Sequence, residues 1–234
     1  MRIFAKRPIF LHVNAVSCVK KIMSIIRLFG AIAVLAASGL AADAPLDNLL
    51  KSVEARYNKT KTLQVLFKED YTPMGKTRRS ESGLLMLRKP GKMRWDYSDP
   101  KGKLFISDGK FLWLYTPSEN KAEKMKFQES DDMRAPLAFL LGKLDFDKEF
   151  RNLQARPEGD SMRISGEPKT DNLPYSAVEF LVAQDSRIRE VKVTRFDKSV
   201  LVFTFDQERM NPPLDNKLFQ FQPPKGTQVE EGDQ

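Results

Sequence analysis

The run L-L-M-L-R-K-P-G-K-M-R-W-D-Y (84–97) continues into S-D-P-K-G-K-L-F-I-S-D-G-K-F-L-W-L-Y (98–115), and these residues decide the fold. Met93, Trp95 and Tyr97 share one parity while Lys92, Arg94 and Asp96 take the other. That two-residue period belongs to a strand with one apolar face. Lys89-Pro90-Gly91 turns the chain into this strand, Asp99-Pro100-Lys101-Gly102 turns it out, and Asp108-Gly109 is a hairpin dipeptide. Phe111, Trp113 and Tyr115 repeat the aromatic alternation, but here Leu112 and Leu114 fill the other parity. A strand apolar on both faces needs cover on both. Two readings fit: an ordinary sheet core, or a curved sheet whose concave face holds a greasy ligand.

Upstream, Leu63, Val65 and Phe67 alternate with polar residues in a further strand, and Arg78 to Leu87 forms the next. Before them, Leu46, Leu49, Leu50, Val53 and Tyr57 follow the 3.6-residue period, which predicts a helix from Asp43 to about Asn58. Downstream of the aromatic hairpin the period changes. Ala135-Pro136-Leu137-Ala138-Phe139-Leu140-Leu141-Gly142 suits a short helix, with Pro136 in its first turn and Gly142 at its stop. Leu137, Phe139, Leu140 and Leu141 go most of the way round it, so it is either a core plug or a movable lid over an apolar cavity. From Phe150 the alternation returns in five segments, near 150–156, 161–167, 176–183, 187–195 and 199–208, and a last short strand lies within 218–229. The whole predicts a mainly β, α+β fold: one curved antiparallel sheet of about ten to twelve strands, curled into an incomplete barrel and covered by two or three helices.

Charge and chemistry narrow the function. The net charge is +8, but residues 1–41 hold Arg2, Lys6, Arg7, Lys20, Lys21 and Arg27 and no acid. Removing those six from the 39 basic residues leaves 33 against 31 acidic ones from Ala42 onward. The high charge therefore gives no reason to expect nucleic-acid binding. The apolar run Ile25 to Ala37, followed by Gly39 and Ala41 at the −3 and −1 positions, has the form of a secretory signal peptide. Met23 is a candidate true start. The expected organisation is an N-terminal extension with signal over 1–41 and one domain over 42–234, exported and soluble. Cys18 and His12 are the chain's single Cys and His, and both lie in the leader. A mature chain from Ala42 thus has no zinc site of Cys and His, no Cys nucleophile and no Ser-His-Asp triad. Asp96, Asp99, Asp108, Asp131 and Asp132 read as turn formers and solvated charges. No enzyme activity, metal or cofactor is expected. A pocket for acyl chains needs apolar walls and few polar atoms, and each buried methylene contributes about 0.8 kcal/mol. The sharper reading assigns its wall to Met86, Met93, Trp95, Tyr97, Phe111 and Trp113, and its lid to Pro136, Leu137, Leu140 and Leu141.

Four motifs in order, L-R-K-P-G-K-M-R-W-D-Y (87–97), I-S-D-G-K-F-L-W-L-Y-T-P (106–117), A-P-L-A-F-L-L-G (135–142) and F-Q-P-P-K-G-T-Q-V (221–229), resemble the LolA family of periplasmic lipoprotein carriers. The resemblance covers nearly all of the expected mature chain. It implies a helix-covered incomplete barrel whose cavity takes the acyl chains of lipoproteins. Cargo would come from an inner-membrane lipoprotein-releasing ABC transporter and pass to an outer-membrane acceptor, with the carrier a periplasmic monomer. The family's lid-holding arginine stands directly before the motif proline; here that position is Lys89, with Arg88 one residue earlier on the opposite parity. Lysine lacks the planar fork, so a looser latch is expected. The family's inward aromatic four positions on corresponds to Met93. The other readings are a lipid-sensing periplasmic regulator on the same half-barrel, the acceptor of the same pathway, and a generic lipid-binding protein.

Overall fold

Alternating strands joined by tight turns can only pair with their neighbours, and here they do so twice over. The computed structural model describes residues 43–127, 143–170 and 173–231. Two compact units divide the chain, Met1–Pro45 and Leu46–Gln234, and nearly every described residue lies in the second. The proposed lid residues Pro136, Leu137, Leu140 and Leu141 lie outside the described residues.

The first meander comprises β1 (Thr62–Thr72), β2 (Arg79–Arg88), β3 (Lys92–Asp99), β4 (Leu104–Asp108), β5 (Phe111–Thr116) and β6 (Lys121–Lys126). The second comprises β7 (Phe150–Glu158), β8 (Ser161–Pro168), β9 (Tyr175–Ala183), β10 (Ile188–Arg195) and β11 (Val200–Met210). Pairing of β1 with β11 joins them into one sheet, to which β12 (Gln228–Glu231) adds at one edge, ordered β12-β6-β5-β4-β3-β2-β1-β11-β10-β9-β8-β7. The pairs are antiparallel except the last, in which β12 runs parallel to β6. Twist curls a sheet of this breadth, and the expected open, curved antiparallel sheet is what the chain forms.

One close approach shapes the first meander. An added Cβ at Gly83 would sit 2.1 Å from the Asp96 carbonyl oxygen and 2.8 Å from Tyr97 Cα, where β2 shifts register against β3. Only glycine fits there.

The helix α1 (Asp43–Asn58) buries Leu50, Val53 and Tyr57 on the core. Its last turn is fastened by a buried network. Glu208 accepts from Arg56 Nη2 at 2.6 Å and from the Tyr57 hydroxyl at 2.8 Å, and that hydroxyl accepts from the Ile188 backbone N–H at 2.9 Å. Burial, then the Glu208 charge, raises the Tyr57 pKa far above its ordinary value, so the hydroxyl keeps its proton. The Asn58 side chain bonds both N–H and C=O of Leu144, and Glu54 accepts from Phe146 N. These contacts hold the one-turn helix α2 (Phe146–Glu149) against α1, with Phe146 edge-on to Phe180 at 5.3 Å.

Two substitutions check this account. Tyr57→Phe strands the Ile188 N–H and one Glu208 oxygen, and should lower unfolding free energy by about 1–3 kcal/mol in urea melts. Gly83→Ala forces β2 away from β3, with an expected loss of about 1–3 kcal/mol or more; an unchanged melt would show that the strands part without cost.

Candidate functional site

Register, not parity alone, decides which side chains share the concave face. Trp95 pairs with Leu85 on β2 and with Phe105 on β4, and Phe105 pairs with Leu114 on β5. Met93 pairs with Leu87 and Ser107, and Ser107 with Leu112. The concave wall of this half is therefore Leu85, Leu87, Met93, Trp95, Tyr97, Phe105, Leu112 and Leu114. Across β1, Phe67 pairs with Phe205, and Leu201 and Phe203 share the latter's parity.

Three of the six predicted wall residues, Met93, Trp95 and Tyr97, lie on this face and are at most 4% exposed. The other three need correcting. Met86 pairs with Arg94 and Trp113 with Ile106, and Phe111 shares the parity of Trp113, so all three stand on the outer face. The C-terminal segment covers Trp113 there, and Lys124 Nζ lies over the Phe111 ring at 4.4 Å. Phe221 lies 5.4 Å from the Trp113 ring and 5.5 Å from Tyr115, and Arg94 Nη1 donates to the Leu218 carbonyl at 3.0 Å. Both faces of β5 are apolar, so alternation alone does not distinguish its inner side from its outer one. Counting pairs back across each turn exposes the error, since Met86 then falls opposite the polar Arg94.

The middle of the concave face is packed by its own rings. Phe67 meets Trp95 edge-on at 4.7 Å and Tyr97 at 5.1 Å, and Trp95 lies 5.5 Å from Phe203. Beyond them, where β1, β3 and β10 end and β2, β4, β9 and β11 begin, the face opens into a cavity of about 190 Å³. Tyr71, Tyr175, Val193 and Leu201 give it apolar walls; Glu69, Arg79, Glu81, Lys103 and Arg195 ring it with charge. Burial, with Glu149 nearby, pushes the Tyr175 pKa up to about 12, so this wall stays neutral at ordinary pH. Lys103 is held by Glu81 at 2.5 Å and sits 4.4 Å over the Tyr97 ring. The cavity is smaller than the roughly 300–1,000 Å³ of ordinary small-molecule pockets. Sequence reasoning missed its residues; Leu201 alternating with Val200 and Val202 was visible but had no partner to place it. Among the described residues no group of three or more His, Cys, Asp or Glu could hold a metal ion.

The family model described as outer membrane lipoprotein carrier protein LolA matches residues 58–222, well over half the chain. The chain belongs to the LolA family. An outer-membrane lipoprotein carrier protein of Chromobacterium violaceum is 31% identical over 197 residues, covering 84% of this chain and 94% of that protein. One from Nitrosomonas europaea is 26% identical over 181 residues, covering 77% and 87%. A solved LolA superfamily structure, also from Nitrosomonas europaea, overlays 75% of this chain and 97% of its own with TM-score 0.45 and 10% identity.

Against that LolA background the lysine before the motif proline has a definite place. Lys89 Nζ donates to the Tyr57 carbonyl at 2.7 Å and so caps the C-terminal turn of α1. Partial burial lowers its pKa. Arg88, of opposite parity, reaches the Leu214 carbonyl on the outer face at 2.5 Å and so ties down the C-terminal segment. The two neighbours thus serve different faces.

Lys89→Met should remove the cap on α1 and cost about 1–2 kcal/mol in urea unfolding, while Lys89→Arg keeps a donor and most of the stability. Equal melts for wild type and Lys89→Met would refute the cap.

Proposed function

We propose that this protein is a periplasmic carrier that shelters the acyl chains of lipoproteins on its concave face between the inner and outer membranes. The observation that carries the reading is the unbroken apolar lining from Leu87 through Trp95 to Phe203, which opens at one end into the cavity walled by Tyr71, Tyr175, Val193 and Leu201. Family membership and the names borne by the relatives support it. Delivery by a releasing ABC transporter and hand-over to an outer-membrane acceptor are the partners proposed with it. Sheltering and release need no bond-breaking, and no catalysis is proposed. Among the described residues no helix is long and apolar enough to cross a membrane.

Loading must enlarge the space available. Acyl chains would extend the existing cavity by parting the Phe67–Trp95–Phe203 contacts, exchanging ring-on-ring burial for ring-on-methylene burial at little net cost. Met93, beside Trp95 on the same face, offers an adaptable contact. The two tryptophans, on opposite faces, give separate reports. In a Trp113→Phe variant, titration with a triacylated lipopeptide should change the fluorescence of Trp95. In a Trp95→Phe variant, the Trp113 signal should stay flat, and the same peptide without acyl chains should give no response in either. Absence of any acyl-dependent response, together with lipid-free protein by mass spectrometry after purification from its native host, would end the carrier reading.

A further inference from the structure

The cavity end of the sheet carries a second kind of surface. Four large apolar residues stand exposed among the described residues, and the two most exposed are Met74 at 70% and Phe196 at 62%. Met74 lies in the turn between β1 and β2, and Phe196 in the turn between β10 and β11. Thr72 pairs with Val200, so these turns project side by side from one pair of strands. Both flank the cavity mouth, because Tyr71 and Leu201, the next pair inward, line it.

The same end is rich in cations. Lys76 and Arg78 accompany Met74, Lys198 follows Phe196, Lys101 and Lys103 occupy the β3–β4 turn, and Arg79 and Arg195 stand in the mouth. The acids nearby are largely engaged: Asp70 with Lys68 and Arg78, Glu81 with Lys103, and Asp197 with Ser199. Glu69 lies in the mouth, where it accepts from the Tyr97 hydroxyl, and Asp99 ends β3. Lys76, Arg79, Lys101 and Lys198 are exposed and enter no salt bridge among the described residues. Arg195 Nε is buried without a hydrogen-bond partner.

We propose that this end docks on an anionic bilayer surface, with Met74 and Phe196 entering the headgroup layer and the surrounding cations facing lipid phosphates. Apolar tips set among cations are the chemistry of interfacial binding. The mouth would then face the membrane that holds acyl chains. The opposite end is also basic, with an open groove lined by Lys59, Lys61, Arg88 and Lys89. That groove has no exposed large apolar side chain, and Lys89 and Arg88 are occupied by the Tyr57 and Leu214 carbonyls. The inference adds a partner to the carrier reading, yet docking is measured on vesicles without lipopeptide, so either can fail alone.

The test is co-sedimentation of the expected exported form, from Ala42 onward and so without the basic, apolar leader, with phosphatidylcholine vesicles, with and without phosphatidylglycerol, at low salt. Wild type should bind only the anionic vesicles and be released by salt. Lys76→Glu/Lys101→Glu should weaken binding by about tenfold or more, and Met74→Ser/Phe196→Ser should weaken it comparably. These residues are exposed on turns, so urea melts should match wild type. Lys59→Glu/Lys61→Glu, at the other end, should bind as wild type does. Equal binding to neutral and anionic vesicles, unchanged binding by Met74→Ser/Phe196→Ser, or a loss that follows Lys59 and Lys61 instead would each overturn the proposal.

Discussion

Phe67 on β1 touches Trp95 on β3, and Trp95 touches Phe203 on β11. These three rings cross the ladder that joins the two meanders, and the curvature of the sheet depends on their meeting. A flat sheet would keep β3 and β11 too far apart for side-chain contact, since two further strands lie between them at about 4.8 Å spacing. Burying three aromatic side chains against one another favours the bent form strongly. The inner faces of β9 and β10, with Phe180 and Val191 fully buried, then line the far side of the same hollow.

Bending creates a second demand, on the convex side. Outward residues on β2 to β5 are partly apolar, and Met86 and Ile106 are buried although they point away from the hollow. The chain after β11 supplies their cover. It is pinned by cations of β2 and β3: Arg88 to the Leu214 carbonyl, Lys92 to Asn216 Oδ1 and Arg94 to the Leu218 carbonyl. Phe219 is buried beneath this segment, and Phe221 settles on Trp113 and Tyr115. The parallel β12–β6 pairing then ends the strap at the sheet edge. Alternation of charge with aromatic residues in β3 thus serves both faces at once.

How much of this was legible follows from what each residue's neighbours are. The strands, α1 and the inward set Met93, Trp95 and Tyr97 were readable, because polar residues mark the other face of β3 without ambiguity. The face assignment of β5 was not, because Phe111-Leu112-Trp113-Leu114-Tyr115 is apolar on both sides and its outer cover lies more than a hundred residues away. Met86 failed for a related reason: β2 is apolar on both faces near its end, and only the turn at Pro90-Gly91 links it to the polar Arg94. The cavity at the turn ends was invisible, since Tyr71, Tyr175, Val193 and Leu201 come from four strands whose adjacency depends on the long-range β1–β11 pairing. The LolA resemblance carried the functional reading past that limit, but it left the register of this chain to be found.

The two ends of the sheet differ in what would resist opening. At the α1 end, Tyr57, Glu208, Ile188, Lys89 and Asn58 are joined by directional hydrogen bonds, part-buried or, between Ile188 and Tyr57, buried. Separating such partners leaves each unsatisfied, at about 1–3 kcal/mol apiece. At the cavity end the strands are linked by turns, and the contacts that close the hollow are largely ring against ring and ring against aliphatic carbon. Those contacts are non-directional, and an entering hydrocarbon chain can replace them nearly one for one. On the carrier reading proposed above, the sheet should therefore yield from the cavity end inward, with Tyr97 meeting cargo before Trp95 once the space beside Tyr71 and Leu201 is filled. On that reading the α1 end would serve as the fixed point for the movement, and the stability of the fold need not be spent to make room.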